Sequence, residues 1–104
     1  MATEREIVFK EAPSIRVRYR RSEPPPPYTY AITVEVKEDG AWQTVRLWDN
    51  ADDAHEHHVH EYTRQEGKQK PMIRSFNSIN EAMATANAEA RENAIAIVRK
   101  WRKS

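Results

Sequence analysis

One apolar stripe runs unbroken through the last quarter of the chain. Ile79, Met83, Ala86, Ala90, Ala94, Ile97 and Trp101 recur at steps of three and four residues, which places them on a single helical face. Just before them stands Ser78-Ile79-Asn80-Glu81. This is a capping box, in which the serine hydroxyl accepts from the third helical amide and the glutamate reaches back to the cap. Arg99, Lys100, Arg102 and Lys103 close the segment, where the negative end of the helix dipole favours cations. The predicted helix, residues 78–103, is about 25 residues and roughly 38 Å long. Such a helix draws its stability from packing its apolar face, and alanines on that face let the partner lie close.

The rest of the chain supplies that partner as strands. In Ser14–Arg20, Ile15, Val17 and Tyr19 alternate with Arg16, Arg18 and Arg20, the period of a half-buried strand. The prolines Pro24–Pro27 interrupt it, because proline has no N–H for a ladder. Arg21-x-x-Pro24-x-x-Pro27 also matches a polyproline ligand, but a stiff hairpin loop accounts for it as well. Tyr28–Lys37 alternates again, with Tyr28, Tyr30, Ile32, Val34 and Val36 on one face. Asp39-Gly40 signals a tight hairpin, and residues 41–49 return. His57–Tyr62 reads as a fourth strand, Pro71–Phe76 as a short fifth, and residues 5–9 as an edge strand. The expected fold is α+β: an antiparallel sheet of four to five strands with one long C-terminal helix packed across one face. Residues 1–13 are an N-terminal arm or edge strand, 14–76 the sheet and 78–103 the helix, all in one domain, 1–104.

Composition fits that size. With 104 residues, 38% of them hydrophobic and 32% charged, the chain is long enough for a single modest core. No apolar run approaches the roughly 20 residues of a membrane span, so no membrane partner is expected. The N-terminus is charged within four residues and does not read as a secretory signal. The absence of cysteine excludes a disulfide framework and a thiolate zinc site. A cytoplasmic location is expected.

If the helix covers one face, Ile15, Val17, Tyr30, Ile32, Val34, Val45, Leu47 and Val59 lie beneath it. Arg16, Arg18, Arg20, Arg46, Trp42, Trp48, His58, His60 and Tyr62 then occupy the other face. The phase matters, since a one-residue bulge exchanges the faces of a strand. All four histidines, His55, His57, His58 and His60, fall within six residues, directly behind Asp49, Asp52 and Asp53. On a strand His58 and His60 point the same way about 7 Å apart. His55 and His57 form a second such pair on the opposite face.

Three chemistries fit. Paired imidazoles completed by an aspartate suit zinc, nickel or manganese. Two histidines beside an arginine suit metal-free acid–base cleavage of RNA. Arg16, Arg18 and Arg20 on phosphates, with Trp42, Trp48 or Tyr62 stacked on bases, suit RNA binding alone. Against all three stands a plain solvated strand and turn. Two tryptophans in phase opposite Val45 and Leu47 also suggest a homodimer or another partner on that face.

The order Arg46-Leu47-Trp48-Asp49-Asn50, then a histidine-rich strand ending His58-Val59-His60, then an alanine-rich C-terminal helix, resembles the TumE-type toxins of prokaryotic toxin–antitoxin pairs. The resemblance covers roughly residues 15–100, and its sharp part is Arg46–His60. It implies a cognate antitoxin, RNA-directed toxicity, and Arg46, Asp49, His58 and His60 as the working residues. The expectation is therefore a toxin-like domain that binds or cleaves RNA, as a metal-independent endoribonuclease without a cofactor. A non-catalytic dimerisation domain and a divalent-metal-binding domain, with His55 and His57 as further ligands, are the alternatives.

Overall fold

A computed structural model describes residues 4–51 and 56–104. The architecture is α+β, an antiparallel sheet with the C-terminal helix lying across one face. The strands are β1 (Glu4–Ala12), β2 (Ile15–Ser22), β3 (Tyr30–Glu38), β4 (Ala41–Asp49), β5 (His57–Thr63), β6 (Gly67–Lys68) and β7 (Met72–Arg74), followed by α1 (Ile79–Arg102). The sheet exceeds the four to five strands expected because the N-terminal arm forms a full strand, β1, and short β6 joins the expected fifth strand, β7, on the outer edge of β5. β7 pairs with His57–Val59, and β6 with Tyr62 and Thr63. A long edge is thereby closed by two pieces too short to template aggregation. The arm at residues 5–9 extends into β1, a nine-residue edge strand.

Local chemistry fixes the connections. Asp39 and Gly40 both adopt positive φ, 52° and 80°, the geometry of a two-residue turn whose twist matches the strands it joins. The proline run is pinched into a hairpin loop: the Ser22 amide donates to the Thr29 carbonyl at 2.8 Å, and the Thr29 amide to Ser22 Oγ at 2.9 Å. At the helix start Ser78 Oγ accepts from the Glu81 amide at 3.1 Å. That is the serine half of the capping box. Among the described residues no return bond from the Glu81 carboxylate is formed.

The core sits between α1 and the sheet. Ile15, Val17, Tyr30, Ile32, Val34, Val36, Val45, Trp48 and Val59 meet Ala82, Met83, Ala86, Ala90, Ala94, Ile97, Val98 and Trp101, all of them buried. The alanine row lies over β3, whose branched side chains fill the space that the small residues leave.

One register shift changes the predicted faces. Glu35 pairs with Thr44 and Val34 with Arg46, leaving Val45 as an extra residue in β4. Before this bulge Trp42 and Thr44 share a face with Glu35; after it, Leu47 joins Thr33 and Trp48 joins Ile32. Leu47, expected in the core, is on the far face. Trp48, expected on the open face, is 3% exposed beneath the helix, its Nε1 donating to Glu89 Oε2 at 3.2 Å. A bulge at this point buries the larger of the two side chains.

Tyr30 ties the core to β5. Its hydroxyl lies 2.9 Å from His57 Nδ1. Burial first, and then the charge of Asp49, push that hydroxyl up to about 12 against a pull from Arg74. The phenol is therefore the donor and the imidazole the acceptor. Burial, aided by His58, holds His57 below the usual imidazole range, which keeps it in the neutral form the bond requires.

Two outcomes are expected. Ser78→Ala removes the cap and costs about 1 kcal/mol, read as a lower denaturation midpoint with an unchanged slope. The contribution of Tyr30 is complete below pH ~10, where an unfolded tyrosine is still protonated. It is lost as pH rises through the folded value of about 12. Thermal melts across that window should fall less steeply for Tyr30→Phe than for the parent protein.

Candidate metal centre

The face away from α1 is assembled by register. Across it, Arg20 stands opposite Ala31, Ala31 opposite Asp49, and Asp49 opposite His58. The next row runs Arg18, Thr33, Leu47, His60. His58 and His60 thus share a face with Asp49 as expected, and Ala31 leaves a gap between Asp49 and the arginine side. His57 is on the opposite side, bonded to Tyr30 and edge-on to Phe76. It cannot join a site with the other two. His55, Asp52 and Asp53 lie outside the described residues.

The three residues converge. Asp49 Oδ1 lies 3.8 Å from His58 Nδ1 and 3.9 Å from His60 Nε2, with the side chains 11–15% exposed. The two imidazoles are 5.9 Å apart between centroids. Asp49 Oδ1 is buried and accepts no hydrogen bond among the described residues. A buried carboxylate oxygen left without a donor costs about 1–3 kcal/mol or more.

The outer hydrogen bonds determine which nitrogens face it. His60 Nδ1 lies 3.1 Å from the Gln69 carbonyl oxygen. A carbonyl only accepts, so Nδ1 carries the proton. In the neutral ring Nε2 then presents a lone pair toward Asp49. His58 turns Nδ1 toward Asp49 while its Nε2 lies 3.7 Å from Glu56 Oε2. A carboxylate and a lone pair therefore face one another across a gap. A cation between them would relieve the repulsion. Gln69 was not foreseen. It is delivered just past β6, where its amide extends the ladder to the Glu61 carbonyl at 2.8 Å.

The remaining expected residues are dispersed. Arg46, past the bulge, points to the helix side, where Nη2 donates to Glu61 Oε1 at 3.0 Å; Lys100 reaches that same oxygen at 3.4 Å. It is not beside the histidines. Trp48 is core and offers no stacking surface. Tyr62 is half-buried, its hydroxyl pushed up by burial and then by Asp49. The arginine row does not form a free cationic track. Arg16 Nε donates to Glu35 Oε1 at 2.7 Å, and Arg18 bridges Glu35 at 3.4 Å and Glu6 at 2.8 Å. That bond to Arg18 holds the Glu6 carboxyl below its ordinary value. Arg20 donates to Thr33 Oγ1 at 3.5 Å, and its Nε is buried without a partner among the described residues.

Comparison of the chain with protein-family models, with curated proteins and with solved structures finds no match. The geometry alone carries the functional argument.

The frustrated carboxylate predicts its own relief. Asp49→Asn removes the charge and supplies an N–H to the facing lone pairs. In metal-free buffer this variant should be more stable than the parent by about 1 kcal/mol, measured by chemical denaturation in the presence of a chelator.

Proposed function

We propose that this protein binds a divalent transition metal through Asp49, His58 and His60. The observation that carries the reading is the buried Asp49 Oδ1, without a donor among the described residues and facing two imidazole nitrogens. Their outer nitrogens face the Gln69 carbonyl and the Glu56 carboxylate. Histidine ligands are held in this way, with the outer N–H on a carbonyl or carboxylate. The three ligand atoms lie within 4.8 Å of one another. Ligand distances of about 2.0–2.2 Å imply separations near 3.3 Å, so closure takes up roughly half an ångström between Asp49 and each histidine and up to about 1.5 Å between the two histidines. Two nitrogens and one oxygen suit zinc, nickel or manganese. Three protein ligands leave a position for water or substrate, as in centres that act as Lewis acids rather than as structural staples.

The expected result is one zinc or cobalt ion bound per untagged chain, followed by titration calorimetry. Affinity falls as pH drops, because the ion displaces protons from imidazole. Asp49→Asn and His60→Ala should each weaken binding by more than about tenfold, whereas His57→Ala should not. Equal affinity in Asp49→Asn would sink the reading.

A second reading uses the same contacts without metal. With His60 protonated, Nε2–H points at Asp49 and the pair becomes an oriented acid beside a second imidazole. This is the form in which the RNA-directed toxicity implied by the TumE-type resemblance survives the displacement of Arg46. Ribonuclease activity that persists in chelator, and is lost in His58→Ala and His60→Ala, would favour it over the metal. For an antitoxin or a second copy, β1 offers an edge strand on which Ile7 and Val8 are about half exposed, the kind of edge to which another chain adds a strand. The tryptophan-bearing face expected for a homodimer loses Trp48 to the core.

A further inference from the structure

The uncovered sheet face holds a second feature, remote from Asp49. A pocket of about 300 Å³ is lined by Val8, Lys10, Pro13, Arg16, Lys37 and Trp42. It forms where the β1–β2 turn closes over the end of the sheet. Lys10 stands opposite Arg16, and Lys37 opposite Trp42. From Asp49's partner Ala31 to Lys37 is six residues of β3, or about 20 Å.

Three observations bear on what it takes. First, it gathers three cations, and only Arg16 is neutralised, by Glu35 at 2.7 Å. Neither Lys10 nor Lys37 has an acidic partner within 4.0 Å among the described residues, although ion pairs occupy most of the surrounding arginines. Second, the Arg16 guanidinium lies 4.0 Å over the centre of the Trp42 ring. Its bond to the buried carboxylate of Glu35 fixes this stack in place. Third, the rest of the lining is apolar: Val8 and Pro13.

We infer that this pocket binds a nucleotide unit, with the phosphate on Lys10 and Lys37 and the base against the Arg16–Trp42 stack. Free ammonium groups bind phosphate as point charges. A planar guanidinium already held on an indole is the surface on which bases stack. The apolar wall of Val8 and Pro13 suits a ring and not a hydrated inorganic ion. A free nucleotide and one unit of a single strand share this chemistry.

Trp42 supplies the readout, because Trp48 and Trp101 are buried at 3% and 6% exposure. Adenosine monophosphate and hexaadenylate should both quench the intrinsic fluorescence saturably, and Trp42→Phe should abolish the change. The double variant Lys10→Ala, Lys37→Ala should weaken binding about tenfold or more and flatten the salt dependence by about 0.7 per lost phosphate contact. Its thermal melt should match the parent's. Asp49→Asn should bind as the parent does, which keeps this site separate from the metal centre. Hexaadenylate binding much tighter than the mononucleotide assigns the site to single strands, and equal affinity assigns it to free nucleotides. Inorganic phosphate competing as well as adenosine monophosphate would overturn the inference. So would a double variant with undiminished affinity, or no saturable quenching at millimolar nucleotide.

Discussion

The extra residue at Val45 decides what each face of the sheet can be. Up to that point β4 keeps its phase with β3, and Trp42 stays on the uncovered face with Lys37. Beyond it the phase reverses: Trp48 drops under the helix, and Leu47 and Asp49 come out to meet His60 and His58. Without the shift Asp49 would face the helix and the histidines would have no carboxylate beside them. The core requirement to bury an indole rather than a leucine and the placement of Asp49 are thus met by one local irregularity, as bulges next to sites often achieve.

Burial on the other side depends on how close the helix can lie. Ala82, Ala86, Ala90 and Ala94 are all at most 2% exposed, so the backbone of α1 rests almost directly on β3. This leaves the sheet's second face without an apolar layer of its own. It is stabilised instead by carboxylate–guanidinium contacts centred on Glu35, which takes Arg16 and Arg18 and accepts from Thr33 Oγ1 at 2.9 Å. A buried carboxylate with this many donors is satisfied. On the same face one strand away, Asp49 Oδ1 accepts no hydrogen bond among the described residues. Two carboxylates in similar surroundings are treated oppositely, and the proposed metal reading rests on that contrast.

The legibility of the fold follows from how local its signals are. The helix from Ile79, its serine cap, the Asp39-Gly40 turn and the alternation in β2 and β3 depend on residues a few positions apart, and all appear as read. Seven of the eight sheet residues assigned to the core are buried. The exception, Leu47, and the misplaced Arg46 and Trp48 all lie beyond the bulge. Nothing in Val45-Arg46-Leu47-Trp48 alone announces it, because its cause is the competition of two side chains for space beneath a helix thirty-odd residues away in the chain. The pairing of His58 with His60 was readable from their spacing. Their common neighbour Asp49 was readable only as a candidate, since strand register and not sequence distance brings it there. Gln69 acts through its backbone, which no side-chain pattern reports.

The division of the histidines shows the same logic at the scale of one strand. Consecutive residues His57 and His58 point to opposite faces and meet opposite conditions. His57 accepts from a phenol whose proton is hard to remove, and burial keeps the ring neutral. It is a half-buried residue with its hydrogen bond made. His58 and His60 face a carboxylate that nothing in the described fold neutralises. The Gln69 carbonyl fixes the His60 tautomer with its lone pair inward, so two acceptors face each other and a cation between them would relieve the repulsion. On the proposed reading, a bound cation would offset the cost of this repulsion and recover it as affinity.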